Sequence, residues 1–170
     1  YHASSTKEIA EELGMSQSSI YYYFPSKDAA LEEVCFRAVE GLVQKLQEIV
    51  AEKCSAEEKL RSAIENHFEP ARHRPHLFMT FLTSRQYLQD GARRRVGKMT
   101  RRYEQLFESL LRQGVEAGEL RNDLDCAAAL QALLAGCNAA ATISERRLND
   151  DVDRYARSIA DVFVRGTKAE

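Results

Sequence analysis

STKEIAEELGMSQSSIYYYFPSK, residues 5–27, reads as two short helices joined by a tight turn, with a third helix opening directly behind them. Ser5 fits an N-cap, and Glu8 three residues on completes a capping box. Ile9, Ala10 and Leu13 then share one helical face. Gly14 falls where a helix ends and the chain needs positive φ, which glycine accepts without steric cost. Ser16 caps the second helix, on which Ile20 and Phe24 point inward together. Gln17, Ser18, Ser19, Tyr22 and parts of Tyr21 and Tyr23 are left facing outward. A surface of amides, hydroxyls and phenols with almost no long charged chains is unusual for a solvated helix. It suits a helix laid in a DNA major groove, where such groups meet base edges and phosphates. Pro25 ends this helix, and Ser26 caps the next with Lys27 in its first turn.

The rest of the chain extends the helical reading. Leu31, Val34, Cys35, Ala38, Leu42, Val43, Leu46, Ile49 and Val50 form an unbroken three-four repeat, predicting one long helix over 27–53. It is a core face, and it makes a stiff rod from the front of the chain into the next domain. Ser55 and Glu58 form a second capping box ahead of the apolar set Leu60, Ala63, Ile64, His67 and Phe68. Pro70 and Pro75 punctuate the chain, and helices follow over 75–88 and 92–117, the second ended by Gly118. A helix over 123–144 is rich in alanine, and the last runs over 149–165 with Val152, Tyr155, Ala156, Ile159, Val162 and Phe163 on one face. Strand-like alternation is missing throughout, which gives an all-α chain.

Composition sets the outer bounds. The 170 residues suffice for one or two small domains, and their apolar and charged fractions are ordinary for a soluble globular protein. No apolar run is expected to reach the length of a membrane span. The net charge of −2 does not advertise nucleic acid, and residues 1–27 set Lys7 and Lys27 against Glu8, Glu11 and Glu12. Cys35, Cys54, Cys126 and Cys137 show neither CxxC nor zinc spacing, so reduced thiols in a cytoplasm are the economical reading. His67, His73 and His76 match no metal pattern and have prolines among them, so neither a metal nor another cofactor is expected. Tyr1 is not a natural start, and upstream sequence is expected.

The segment Ile9–Lys27, IAEELGMSQSSIYYYFPSK, resembles the tetracycline-repressor (TetR) family of transcriptional regulators. The glycine-to-serine spacing, the tyrosines, the Phe-Pro-Ser-Lys exit and the long amphipathic helix all fall in the family's order. The resemblance implies a helix-turn-helix DNA-binding domain over 1–46, lacking the family's first helix. A long helix would join it to a ligand-binding and dimerisation domain over 47–170. It implies base or near-base contacts from Lys7, Gln17, Ser18 and Ser19, and phosphate contacts from Thr6, Tyr21, Tyr22, Tyr23 and Lys27, although Tyr21 reads equally well as a core residue. It implies a homodimer through the last two helices, on a near-palindromic operator in double-stranded DNA. It further implies a small-molecule effector held among the middle helices, by a set drawn from His67, Phe68, Phe78, Phe81, Leu82, Arg85, Tyr103, Phe107 and Asn138, with Asn66 nearby.

Arg93, Arg94, Arg95, Lys98, Arg101 and Arg102 form a basic stripe that is either a solvated face or a contact for a phosphorylated ligand such as an acyl-coenzyme A. The stretch from Tyr103 through GVEAGELRNDLD to Asn138 is similar to regulators of lipid or steroid catabolism that take such thioesters. Two other classes compete with a regulator. A helical small-molecule binding or adaptor protein that never touches DNA would share the core pattern. An enzyme is disfavoured, because no glycine-rich phosphate loop, nucleophile elbow or paired metal motif is present.

Overall fold

The computed structural model describes residues 6–12, 14–146 and 152–169. Its helices are α1 (Thr6–Glu12), α2 (Gln17–Tyr23), α3 (Lys27–Ala51), α4 (Ala56–His73), α5 (Pro75–Ser84), α6 (Asp90–Glu116), α7 (Cys126–Arg146) and α8 (Val152–Thr167). A single 3₁₀ turn, Arg85–Tyr87, follows α5. No strand occurs among the described residues; one isolated bridge, Leu120 to Lys168, ties the tail to the loop after α6.

Helix ends follow from local chemistry. After α1, Gly14 has φ +63°, the Gly14 N–H bonds the Glu11 carbonyl at 3.1 Å, and the Met15 N–H bonds the Ala10 carbonyl at 2.9 Å. These are the paired bonds of a left-handed helix stop, and they turn the chain sharply into α2. The Ser16 hydroxyl caps α2 by accepting from the Ser19 N–H at 3.1 Å, and Ser26 caps α3 by accepting from the Ala29 N–H at 3.0 Å. Ser55 and Glu58 complete a reciprocal capping box on α4. Pro70 lies inside α4 without ending it, so that helix reaches His73. α5 stops at Ser84, short of the expected residue 88, because the chain tightens into the 3₁₀ turn. α7 begins at Cys126, where residue 123 was expected, because Asp125 is the cap: its carboxylate accepts from the Ala128 N–H at 3.0 Å. The expected cap at Ser5, the apolar face from Ile9 and Leu13, and the last helix's start at Asn149 lie outside the described residues and side chains.

One apolar core runs from α3 through α8. Its centre is the layer of Leu46, Ile49, Leu60, Ile64, Phe68, Phe78, Phe107, Leu110, Leu111 and Leu130, all fully buried. The long helix α3 presents Leu31, Cys35, Ala38, Val39, Leu42, Leu46 and Ile49 to that core. It packs along α6, α5 and α4, while α8 packs along α4 and α7. Polar ties fix the layers. The Asn66 amide donates to the Leu42 carbonyl at 3.2 Å, joining α4 to α3. Arg61 bonds Asp161 at 2.6 Å, and Arg72 bonds Asp153 as well as Glu65, joining α4 to α8. Arg95 on α6 pairs with Glu32 on α3, and Gln89 bonds Asp28 at 3.3 Å, so the start of α6 is fastened to the first turns of α3.

The expectation that no apolar run approaches a membrane span needs correction. Cys126–Ile143 on α7 is long and apolar enough to cross a bilayer by length and composition. Its alanines supply much of that character, and several of them lie on the face that this single chain leaves exposed.

Candidate functional site

The front of the molecule presents α2 outward. Ile20 is buried and Phe24 half-buried, and the helix packs on α1. Gln17 and Ser18 are exposed and Ser19 is half-buried. The tyrosines that follow are open: Tyr21 is 46% exposed, Tyr22 84% and Tyr23 65%, so Tyr21 is not the core residue that was its alternative reading. The Tyr22 and Tyr23 rings meet edge to face, with centroids 5.2 Å apart. An edge contact of this kind holds both rings as a ridge beside the helix. The Ser18 and Ser19 hydroxyls each lie 2.8 Å from that of Ser16, making a small hydroxyl cluster around the cap. Sequence reasoning missed this cluster, although three serines in the first turn of a capped helix are its signal.

Lys27 opens α3 beside this surface and is half-buried. Lys7 is exposed on α1, 3.8 Å from Glu11. α1 begins at Thr6, whose side chain lies outside those described. The surface therefore brings Gln17, Ser18, Tyr22 and Tyr23 out to solvent from one short helix, with lysines at its margins.

A second concentration of chemistry lies inside the body. His67 on α4 is buried, and its ring sits edge-on to Phe68 and Phe78, with centroids 6.1 Å away in each case. Its Nδ1 is 3.1 Å from the Tyr103 hydroxyl and its Nε2 is 3.3 Å from Asn138 Oδ1. With the amide oxygen facing the ring, Nε2–H donates to Asn138 and Nδ1 accepts the Tyr103 proton, so both ring nitrogens are used in the neutral state. Burial pushes the His67 imidazole down to about 4, against the smaller raising effect of the Asn138 bond. Burial raises the Tyr103 phenol far above its ordinary value, and pushes the Cys137 thiol nearby up to about 12. This is a largely buried, neutral polar triad within an aromatic shell that Phe107 completes against Tyr103.

Of the residues expected around an effector, His67, Phe68, Phe78, Tyr103, Phe107 and Asn138 thus come together, and buried Phe81 joins them on α5. Leu82 is half-buried against the same core. Arg85 does not join: it is exposed outside the aromatic layer, with its guanidinium 5.1 Å from the Phe81 ring centre. Asn66 is committed to the α3 backbone and has a packing role. His73 and His76 are exposed on the surface, away from buried His67.

Arg85 instead lines a surface cleft of about 570 Å³ between the 3₁₀ turn and α6, with Leu88, Arg93, Val96, Gly97 and Arg101 among its other walls. A further apolar groove of about 360 Å³ lies between α7 and α8, lined by Ala132, Gly136, Ile159, Val162 and Phe163. Val162 there is 74% exposed.

Comparisons with known proteins agree across the chain. Residues 1–34 match the family model of bacterial regulatory proteins of the tetR family. Residues 53–167 match that of the tetracyclin repressor-like C-terminal domain. The fatty acid metabolism regulator protein of Bacillus subtilis (strain 168) is 26% identical over 170 residues, 98% of this chain and 86% of that protein. The crystal structure of PfmR, a TetR family transcriptional regulator from Thermus thermophilus, superimposes with a TM-score of 0.83 at 28% identity, covering 97% of this chain and 90% of that one. The structure of FadR from Bacillus subtilis in complex with stearoyl-CoA superimposes with a TM-score of 0.78 at 23% identity, covering 98% and 90%.

Proposed function

The chain belongs to the tetR family of bacterial regulatory proteins, and from that premise we propose that it is a dimeric cytoplasmic repressor that leaves its operator when a small amphipathic effector binds its body. It is a ligand-responsive, DNA-binding transcriptional regulator; release from DNA and the effector's chemistry are the proposed parts. The single observation that carries the DNA role is α2, whose outward surface offers Gln17, Ser18, Tyr22 and Tyr23 with no charged side chain among them.

In this reading the segment over 1–46 is the reading head and 47–170 the sensing body. Gln17 is suited to adenine, whose N6 and N7 match an amide, while Ser18 and Ser19 are undiscriminating. The serine hydroxyls reach bases by rotating away from Ser16. Tyr21, Tyr22, Tyr23, Thr6 and Lys27 take phosphates, with Lys27 adding charge at the α3 N-terminus. Lys7 approaches the groove edge.

Pairing of two chains rests on the uncovered α7–α8 face, where alanines 127, 128, 132, 135 and 139 and exposed Ile143 adjoin the groove around Val162. Small residues let helices approach closely, and an apolar face of this kind marks a protein contact. A two-fold dimer then requires a near-palindromic operator with half-sites about one helical turn apart, or a multiple of it. The aromatic shell around His67, Tyr103 and Asn138 supports an effector that is largely apolar, and a relative whose structure carries stearoyl-CoA supports the amphipathic class.

Selection of bound fragments from random DNA by the full-length protein tests the reading. The expected result is an inverted repeat whose recovery falls steeply with salt. Recovery of random sequence alone at moderate ionic strength overturns it.

A further inference from the structure

The cleft between the 3₁₀ turn and α6 lies outside the residues assigned above to the effector's apolar part, and its chemistry differs from theirs. Its floor is apolar: Leu88 and Val96 are buried, and the Thr100 hydroxyl is spent on the Val96 carbonyl at 3.1 Å. Its rim is cationic, with Arg85, Arg93 and Arg101 against one carboxylate, Glu104. Arg93 is held in place by donating to the carbonyls of Leu88 at 2.9 Å and Gln86 at 3.3 Å, with Asp90 3.8 Å away. Arg101 lies back across Gly97, where an added Cβ would stand 3.4 Å from its Nη1, in ordinary contact with the end of that flexible side chain.

Arginines elsewhere are of both kinds: among the described residues Arg74, Arg94 and Arg102 form no ion pair, while others do. Arg37, Arg61, Arg72, Arg95 and Arg112 each meet a carboxylate. Among the described residues Arg85 and Arg101 form no ion pair, and Arg85 instead faces the Phe81 ring. The cleft thus gathers three guanidinium groups, of which only Arg93 has an ion-pair partner, over an apolar floor and at the edge of the aromatic layer. Planar guanidinium forks match phosphate oxygens two at a time, and several of them around one cleft exceed what a single carboxylate needs.

We propose that this cleft binds the diphosphate-bearing end of the effector, with Arg85, Arg93 and Arg101 as its ligands and the apolar portion continuing past Phe81. The proposal rests on the effector-controlled reading above and names the polar half of that effector. Two sources carry the same chemistry, a coenzyme A thioester and a free nucleoside diphosphate. The site also lies on α6, whose first turns hold Glu32 and Asp28 of α3, so an occupant acts on the helix nearest the reading head.

Calorimetric titration of the full-length protein with coenzyme A, ADP, palmitoyl-coenzyme A and palmitate decides the matter. Wild type should bind the phosphate-bearing probes, and the double variant Arg85→Gln with Arg101→Gln should bind them at least tenfold more weakly. Arg94→Gln, on the same helix outside the cleft, should leave binding unchanged. Coenzyme A binding tighter than ADP assigns the thioester source; equal affinities assign the free nucleotide. Both substituted side chains are exposed, and unchanged helical circular dichroism verifies the fold. Failure of every phosphate-bearing probe to bind, or equal binding by the double variant, overturns the proposal. Operator binding is measured in parallel: if it persists while these probes fail, only the cleft assignment falls. If no operator is bound while the probes bind through Arg85 and Arg101, the regulator reading falls and the cleft remains.

Discussion

Acid should unfold this protein partly through His67, and replacing that residue by Gln isolates the effect. The imidazole sits at about 4 inside the fold because burial disfavours its charged form, against about 6.5 in the unfolded chain. Between those values the unfolded state binds the extra proton, so stability falls as pH falls and is fully present only above the unfolded value. The whole gap is worth about 3 kcal/mol, and going from about pH 7 to about pH 5 removes about 2 kcal/mol of it. Gln cannot titrate, yet its amide can still accept from Tyr103 and donate to Asn138, so His67→Gln lacks that portion of the slope. Carboxylates elsewhere contribute to acid loss in both proteins and cancel in the difference. Urea denaturation at matched protein concentration, repeated across this pH range, reads the difference directly. Parallel loss of stability in the two proteins would refute the claim that His67 is kept neutral by its surroundings.

Other outcomes follow from the same geometry. Lys27→Ala should lower the slope of log affinity against log salt by about one unit for any DNA, as titrated by fluorescence anisotropy; an unchanged slope removes Lys27 from the phosphates. Tyr22→Ala should shift stability by no more than about 0.5 kcal/mol, since the ring is largely in solvent, yet weaken operator binding in the same assay. Gly114→Ala should cost about 1–3 kcal/mol in denaturant, because the new Cβ would sit 2.7 Å from Leu120 and 2.9 Å from Ala56, well inside van der Waals contact. Val162→Glu should yield monomers in sedimentation without unfolding them; an intact dimer would place the subunit contact elsewhere.

What the sequence disclosed, and what it hid, divides along physical lines. The capping serines at 16, 26 and 55 and the helix stop at Gly14 were legible because each is settled by a few neighbouring residues. The α3 face was legible because its period is unbroken. The exact start of α7 was not, since Asn122, Asp123 and Asp125 can all cap and only the chain's path chooses among them. Arg85 stands apart from the aromatic shell for a related reason. It follows an apolar helix and by spacing belongs with it, but the chain tightens into a 3₁₀ turn at that point and carries the guanidinium to the outer side of Phe81. Asn66 and His67 are adjacent and both buried, and nothing local tells that one ties down a backbone carbonyl while the other meets Tyr103 across 36 residues. The role of the 93–102 stripe was equally open, because a cleft is made by two elements and a stripe by one.

The 25 residues of α3 span about 37 Å at the usual rise per residue. Pivoting such a beam by about five degrees at its inner end sweeps its outer end through about 3 Å, a displacement comparable to the reach of a hydrogen bond. In the proposed reading, contacts that need ångström accuracy at Gln17 are governed by angular play at Leu46 and Ile49, and tight packing at those two positions sets the tolerance of the far tip.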